Sequence, residues 1–273
     1  MRIAFSTLGC PEWDLHRICE QGRAFGYDGV DFRGYGETLD VTRHPLFTDH
    51  AAETRERLAD VGLTVSGLSS SIHVGEPGAR ADNLAEARRL VPVANDFDVT
   101  RIRLFGGDGD GTHTTRELAR RAGETMRDIF AIDGAEHIRW LVETHDAWVS
   151  SRDCLTLLDE LPTDNTGLVW DVAHTVRLAD ETPKETIEAL GDRIEYVHLK
   201  DGIHDPDHAG ATDDGYVFVP PGHGDLPIAD AVRELDSRGY DGWVVFEHEK
   251  RWYPSLMDPD DAFAAFAEWF DSL

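Results

Sequence analysis

Short apolar, β-rich runs alternate with longer amphipathic stretches along this 273-residue chain, eight times in succession. The runs fall at 3–8, 29–33, 64–69, 101–105, 138–144, 167–172, 194–199 and 243–248 and are rich in strand-favouring aliphatic and aromatic residues. Helical spacing of apolar residues occupies 14–25, 48–61, 81–98, 114–133, 151–161, 183–190, 228–238 and 259–270. Ser150–Ser151 and Asp258–Pro259 offer helix starts, and Gly62, Gly191 and Gly239 stand where a left-handed exit favours glycine. Strict strand–helix alternation predicts a parallel sheet, and eight units predict an α/β chain folded as a single (β/α)8 TIM barrel over 1–273. A doubly wound nucleotide fold needs a glycine-rich turn after its first strand; Gly9–Cys10–Pro11–Glu12 is not one. The stretches 33–45 and 202–224 follow strands and predict long loops on the barrel's functional rim.

Charge sets the chain's environment. With 53 acidic against 26 basic side chains the net charge is −27, spread along the sequence, and the only lysines are Lys184, Lys200 and Lys250. Regular apolar segments exclude a disordered acidic chain. This composition resembles that of haloarchaeal proteins, whose cytoplasm screens self-repulsion. It weighs against polyanions, so no nucleic-acid partner is expected. No apolar run approaches a membrane span and Met1–Arg2–Ile3 leads straight into a strand, so neither an anchor nor a signal peptide is expected. Cys10, Cys19 and Cys154 match no disulfide or thiolate pattern, which points to a reducing cytoplasm. The screening length falls from about 8 Å at 0.15 M salt to about 3 Å at 1 M. Melting temperature and activity should therefore rise together as KCl enters the molar range. A flat or falling melting temperature would overturn the halophilic reading.

Four strand ends carry metal-competent side chains: Trp140–Leu141–Val142–Glu143–Thr144–His145, Leu168–Val169–Trp170–Asp171–Val172–Ala173–His174, Tyr196–Val197–His198–Leu199–Lys200–Asp201 and Val244–Val245–Phe246–Glu247–His248–Glu249. An unpaired buried charge is expensive, so four such groups in register point to a shared site. Three carboxylates and one imidazole suit one divalent ion, with Mn²⁺ favoured and Mg²⁺, Co²⁺ or Zn²⁺ as alternatives.

On Glu143, Asp171-x-x-His174, His198 and Glu247, its most specific parts, the chain resembles the xylose-isomerase-like barrel superfamily, the sugar phosphate isomerase/epimerase family. The resemblance implies Glu143, Asp171, His198 and Glu247 as metal ligands. It implies Glu143 and Glu247 as the acid/base pair, and His174 as a catalytic residue that hydrogen-bonds the substrate oxygen. A small sugar or polyol would be the partner, and homo-oligomerisation stays open. The expected reaction is isomerisation or epimerisation through a metal-stabilised enediolate. A dehydratase of the inosose dehydratase type is the alternative on the same site, and an apurinic-site endonuclease a remote one. The ketose 3-epimerases carry an arginine six residues beyond the strand-seven histidine; here that residue is His204, so ketose 3-epimerisation is not singled out.

Arg33, His73, Arg103, His145 and Lys200 follow or end strands and are candidates for substrate binding. Lys200 and Asp201 could replace the missing arginine, although such a pair is more often a solvated salt bridge. Asp108, Asp110 and His113 suggest a polar rim loop, and Trp13, Trp148 and Trp252 either stack on a sugar or pack between helix and barrel.

Overall fold

The computed structural model describes residues 1–109, 111–162 and 165–273. Its first strand, β1 (Arg2–Ser6), pairs in parallel with β2 (Gly29–Phe32) on one side and with the last strand, β10 (Trp243–Phe246), on the other. That double pairing closes the sheet. The circuit runs on through β3 (Thr64–His73), β4 (Arg101–Phe105), β5 (Arg139–Glu143), β6 (Thr166–Asp171) and β7 (Ile194–Leu199), which pairs with β10. Outside it lie α1 (Leu15–Ala24), α2 (Ala51–Asp60), α3 (Arg80–Asp96), α4 (Thr115–Phe130), α5 (Ser151–Leu158), α6 (Val172–Ala179), α7 (Pro183–Leu190), α8 (Ile228–Ser237) and α9 (Pro259–Asp271). The expected single (β/α)8 barrel is the fold observed. No helix among the described residues is long and apolar enough to cross a membrane.

Strand side chains alternate between barrel interior and helix layer, and this places every group of the site. A small inner cluster of Ala4, Leu141, Val169, Tyr196, Trp243 and Val245 fills the lower barrel. Two residues further along β5, β6, β7 and β10 come Glu143, Asp171, His198 and Glu247. The apolar layer is thus the floor on which the polar layer stands. The intervening residues Val142, Trp170, Val197 and Phe246 face the helices in the main core.

The structure departs from the sequence reading in four places. Strand β3 runs to His73 rather than stopping at residue 69, because beyond a register shift after Ser69 it pairs again with β4, His73 opposite Phe105; the Ser70 hydroxyl donates to the Arg103 carbonyl (2.7 Å) at that irregularity. Helix α6 was not expected; the Asp171 carboxylate caps it by accepting the His174 amide at 3.0 Å. Within the long stretch 202–224 the chain forms an antiparallel hairpin of β8 (Asp201–His204) and β9 (Tyr216–Val219), held to α6 by the Arg177–Asp214 ion pair. Gly62 and Gly239 have φ of +81° and +72° as expected, whereas Gly191 has φ −50° and continues into a helical turn.

Candidate metal centre and active site

Each proposed ligand is delivered by a different strand end. Glu143 and Asp171 close β5 and β6, His198 lies in β7, and Glu247 follows β10, its amide bonded to the Leu199 carbonyl at 2.9 Å. One ligand atom from each of the four lies within 4.8 Å of all the others, and all four side chains are buried. Such a gathering of like charge persists only with positive charge among it. His198 Nδ1 stands 3.2 Å from Glu143 Oε1 and 3.3 Å from Glu247 Oε1. Arg103 Nε is 3.3 Å from Glu143 Oε2, and Lys200 Nζ lies 2.8 Å from both Asp171 Oδ2 and Glu247 Oε2 and 2.6 Å from Glu249 Oε1.

These contacts set the protonation states. Burial alone would raise both glutamates, but Arg103 and His198 hold Glu143, and Lys200 and His198 hold Glu247, well below the usual carboxylate range. Burial would lower His198 and Lys200, yet the facing carboxylates push both well above their ordinary values. Asp171 Oδ2 and His198 Nε2 make no hydrogen bond of good geometry despite full burial. An oxygen-rich donor set with incompletely satisfied atoms fits a hard or borderline divalent cation. Binding there would displace the proton His198 holds.

Of the cluster, Glu143 and Glu247 line a cavity of about 200 Å³, together with Arg33, Phe105, His145, His174 and Trp252, while Asp171 and His198 lie buried behind them. His174 Nδ1 lies 3.0 Å from the Thr144 carbonyl, which can only accept, so Nδ1 carries the proton. Burial keeps the ring neutral, well below its ordinary value. Its Nε2 therefore holds a lone pair, suited to accept from a hydroxyl. His145 is bonded through Nδ1 to Asp146, and that bond together with Glu143 raises it above its ordinary value despite burial.

Several expectations change. His73 does not line the cavity: it stacks on Phe105 at 4.8 Å with Nδ1 on the Ser71 carbonyl (2.9 Å). Lys200 and Asp201 do not pair, because neighbouring strand residues face opposite ways; Asp201 instead accepts from the Gly202, Gly222 and Gly224 amides. Trp13 and Trp148 belong to the core, and Trp252, 48% exposed, lines the mouth. Asp108 is exposed on the rim, His113 contacts Thr112 and Arg121, and Asp110 lies outside the described residues. Among the described residues this is the one metal-competent group that assembles; His73, His204, His208 and His223 are not in it. Sequence reasoning missed Glu249, Asp31 and Asp146. Period two flags the first two, since Glu249 follows Glu247 and Asp31 precedes Arg33 by two. Asp146, at φ +55°, gave no such signal.

The xylose isomerase-like TIM barrel family matches residues 19–273. This chain belongs to that family. An inosose dehydratase of Geobacillus kaustophilus is 27% identical over 93% of this chain and 82% of its own length. A fructoselysine 3-epimerase of Shigella flexneri is 19% identical over 90% of each. Among solved structures, the IolI protein with a bound zinc atom superposes with a TM-score of 0.80 at 15% identity, covering 100% of this chain and 97% of that one. The family's relatives thus include sugar epimerases and dehydratases.

Proposed function

We propose that this protein is a divalent-metal-dependent enzyme that moves a proton α to a carbonyl in a small keto sugar or polyol, as an isomerase or epimerase. The observation that carries this reading is the convergence of Glu143, Asp171, His198 and Glu247 within 4.8 Å, with Glu143 and Glu247 opening onto a polar cavity. Those four residues would hold the ion, which when bound supplies Lewis-acid stabilisation of negative charge on substrate oxygens. Mn²⁺ suits the oxygen-rich set, and the zinc in the IolI structure keeps Zn²⁺ in view.

The chain's own groups perform the rest. Glu143 and Glu247 are ionised at neutral pH, so either can take the proton beside the carbonyl. With one carboxylate on each face of the planar enediolate, removal and return occur on opposite sides, which inverts the centre. His174 Nε2 accepts a substrate hydroxyl and fixes its orientation. Phe105 and Trp252 limit the water that reaches the site.

A second reading, dehydration, is favoured by the inosose dehydratase relative, which aligns along 93% of the chain. The same proton removal followed by loss of a β-hydroxyl gives that outcome. Product mass after turnover in D₂O separates the two: isomerisation or epimerisation adds deuterium at unchanged composition, whereas dehydration loses water. Absence of deuterium exchange on every ketose and polyol offered would sink the proton-transfer reading. Asp171→Ala should lower bound metal at least tenfold after dialysis, by elemental analysis. Wild-type occupancy would refute the ligand set.

A further inference from the structure

The positive charges of the cavity are unevenly matched. Arg103 faces Glu143, and Lys200 is surrounded by Asp171, Glu247 and Glu249. Arg33 has no such partner. Its side chain lines the cavity at 8% exposure; among the described residues its guanidinium makes one hydrogen bond, Nη1 to the Ser71 hydroxyl at 3.0 Å, and lies 5.9 Å over the Phe105 ring. No carboxylate among the described residues lies within ion-pair distance of it. Glu86, Glu143 and Asp31 act on it from further off, and their oxygens are bonded elsewhere, Glu86 by the Ser71 amide (2.7 Å), Glu143 by His198 (3.2 Å) and Asp31 by Ser69 and Tyr196 (2.9 Å each). Burial, reinforced by Arg103, lowers the guanidinium to about 10, so it remains charged at neutral pH.

A buried cation without a counter-ion is costly, and folding alone gives no return for it. Arg103, Lys200 and His145 each face a carboxylate directly, so among the described residues lining the cavity Arg33 is the cation whose guanidinium is left free for a ligand. A guanidinium fork suits a planar carboxylate or a phosphate, bidentate in either case. The cavity, about 200 Å³, admits a compact molecule. We propose that Arg33 is the anion-binding residue of this site, and that the substrate is a small keto polyol with a fixed negative charge away from its carbonyl. This rests on the proposed proton-transfer function only for placing the keto end at the metal ligands.

Three probes share a keto end and differ at the far carbon: D-fructuronate, D-fructose 6-phosphate and D-fructose. Calorimetric titration into the metal-loaded protein at one ionic strength should show at least one anion binding roughly tenfold or more tighter than D-fructose. Which anion it is distinguishes carboxylate from phosphate. Arg33→Gln should abolish the preference and Arg33→Lys should retain part of it. The unliganded Arg33→Gln protein should melt no lower than wild type, since the substitution removes an unpaired buried charge. Equal behaviour of the three probes, including no binding by any, overturns the proposal. So does a preference that survives Arg33→Gln, or a melting temperature several degrees lower in that variant, which marks a structural arginine. Deuterium incorporation from D₂O is scored separately. Exchange without anion preference defeats only the role of Arg33, and anion preference without exchange defeats only the proton-transfer reading.

Discussion

Glu143→Gln and Glu247→Gln should each slow exchange of the substrate α-proton with solvent by roughly 10²–10⁴-fold, the usual contribution of a positioned acid or base. The amide keeps the shape and one coordinating oxygen but cannot take a proton, so activity should fall far more than metal content. The two losses should also be non-additive, because removing either glutamate already breaks the two-sided transfer. Measuring deuterium uptake beside metal content in the same preparations separates the two effects. Near-normal turnover in either variant would end the paired-base mechanism. An equal loss of metal and activity would reduce that glutamate to a ligand.

Lys200→Met should cost about 3–5 kcal/mol of stability in metal-free protein, the range for removing one partner of a buried ion pair. Lys200 is 3% exposed and its ammonium touches Asp171, Glu247 and Glu249, so the variant leaves three carboxylates together in the barrel. Chemical denaturation reads the loss directly. Saturating Mn²⁺ should restore part of it, because a bound cation substitutes for the missing positive charge and stabilises the state that binds it. A loss below about 1 kcal/mol, the range of an exposed pair, would show that water reaches these carboxylates. Lys200→Met loses the ammonium while keeping an unbranched, flexible side chain, so packing changes little.

The residues that were readable and those that were not divide along one physical line. Glu143, Asp171, His198 and Glu247 stood out because a charged group at the end of an apolar run is anomalous within its own few residues. Arg33, Arg103 and Lys200 were found in the same way. Their partnerships were not, because ion pairs such as Lys200–Glu249 and Arg103–Glu143 join different strands. Nothing local distinguishes Lys200, held by three carboxylates, from Arg33, which meets one hydroxyl and the Phe105 ring among the described residues. Lys200–Asp201 invited reading as a pair, and only the strand conformation, which sends adjacent side chains to opposite faces, separates them. Helix α6 escaped for a related reason: Trp170–Asp171–Val172–Ala173 reads as the tail of a buried strand until the Asp171 carboxylate is seen capping the turn.

The hairpin of β8 and β9 marks the limit of local reading on the rim. Its strands are four residues each with glycines and aspartates between, and they are fixed by contacts to α6 rather than by propensity. Periodicity records which face a residue occupies, because alternation is a property of the backbone alone, so the sequence by itself determined the eightfold barrel and the inward ring of Glu143, Asp171, His198 and Glu247. Distances and charge balance across that ring depend on which strands close beside one another. The tertiary structure alone decided that Lys200 is neutralised, that His174 presents a lone pair and that Arg33 has no carboxylate within ion-pair distance among the described residues, since Coulomb energy is set by separation in space and not along the chain.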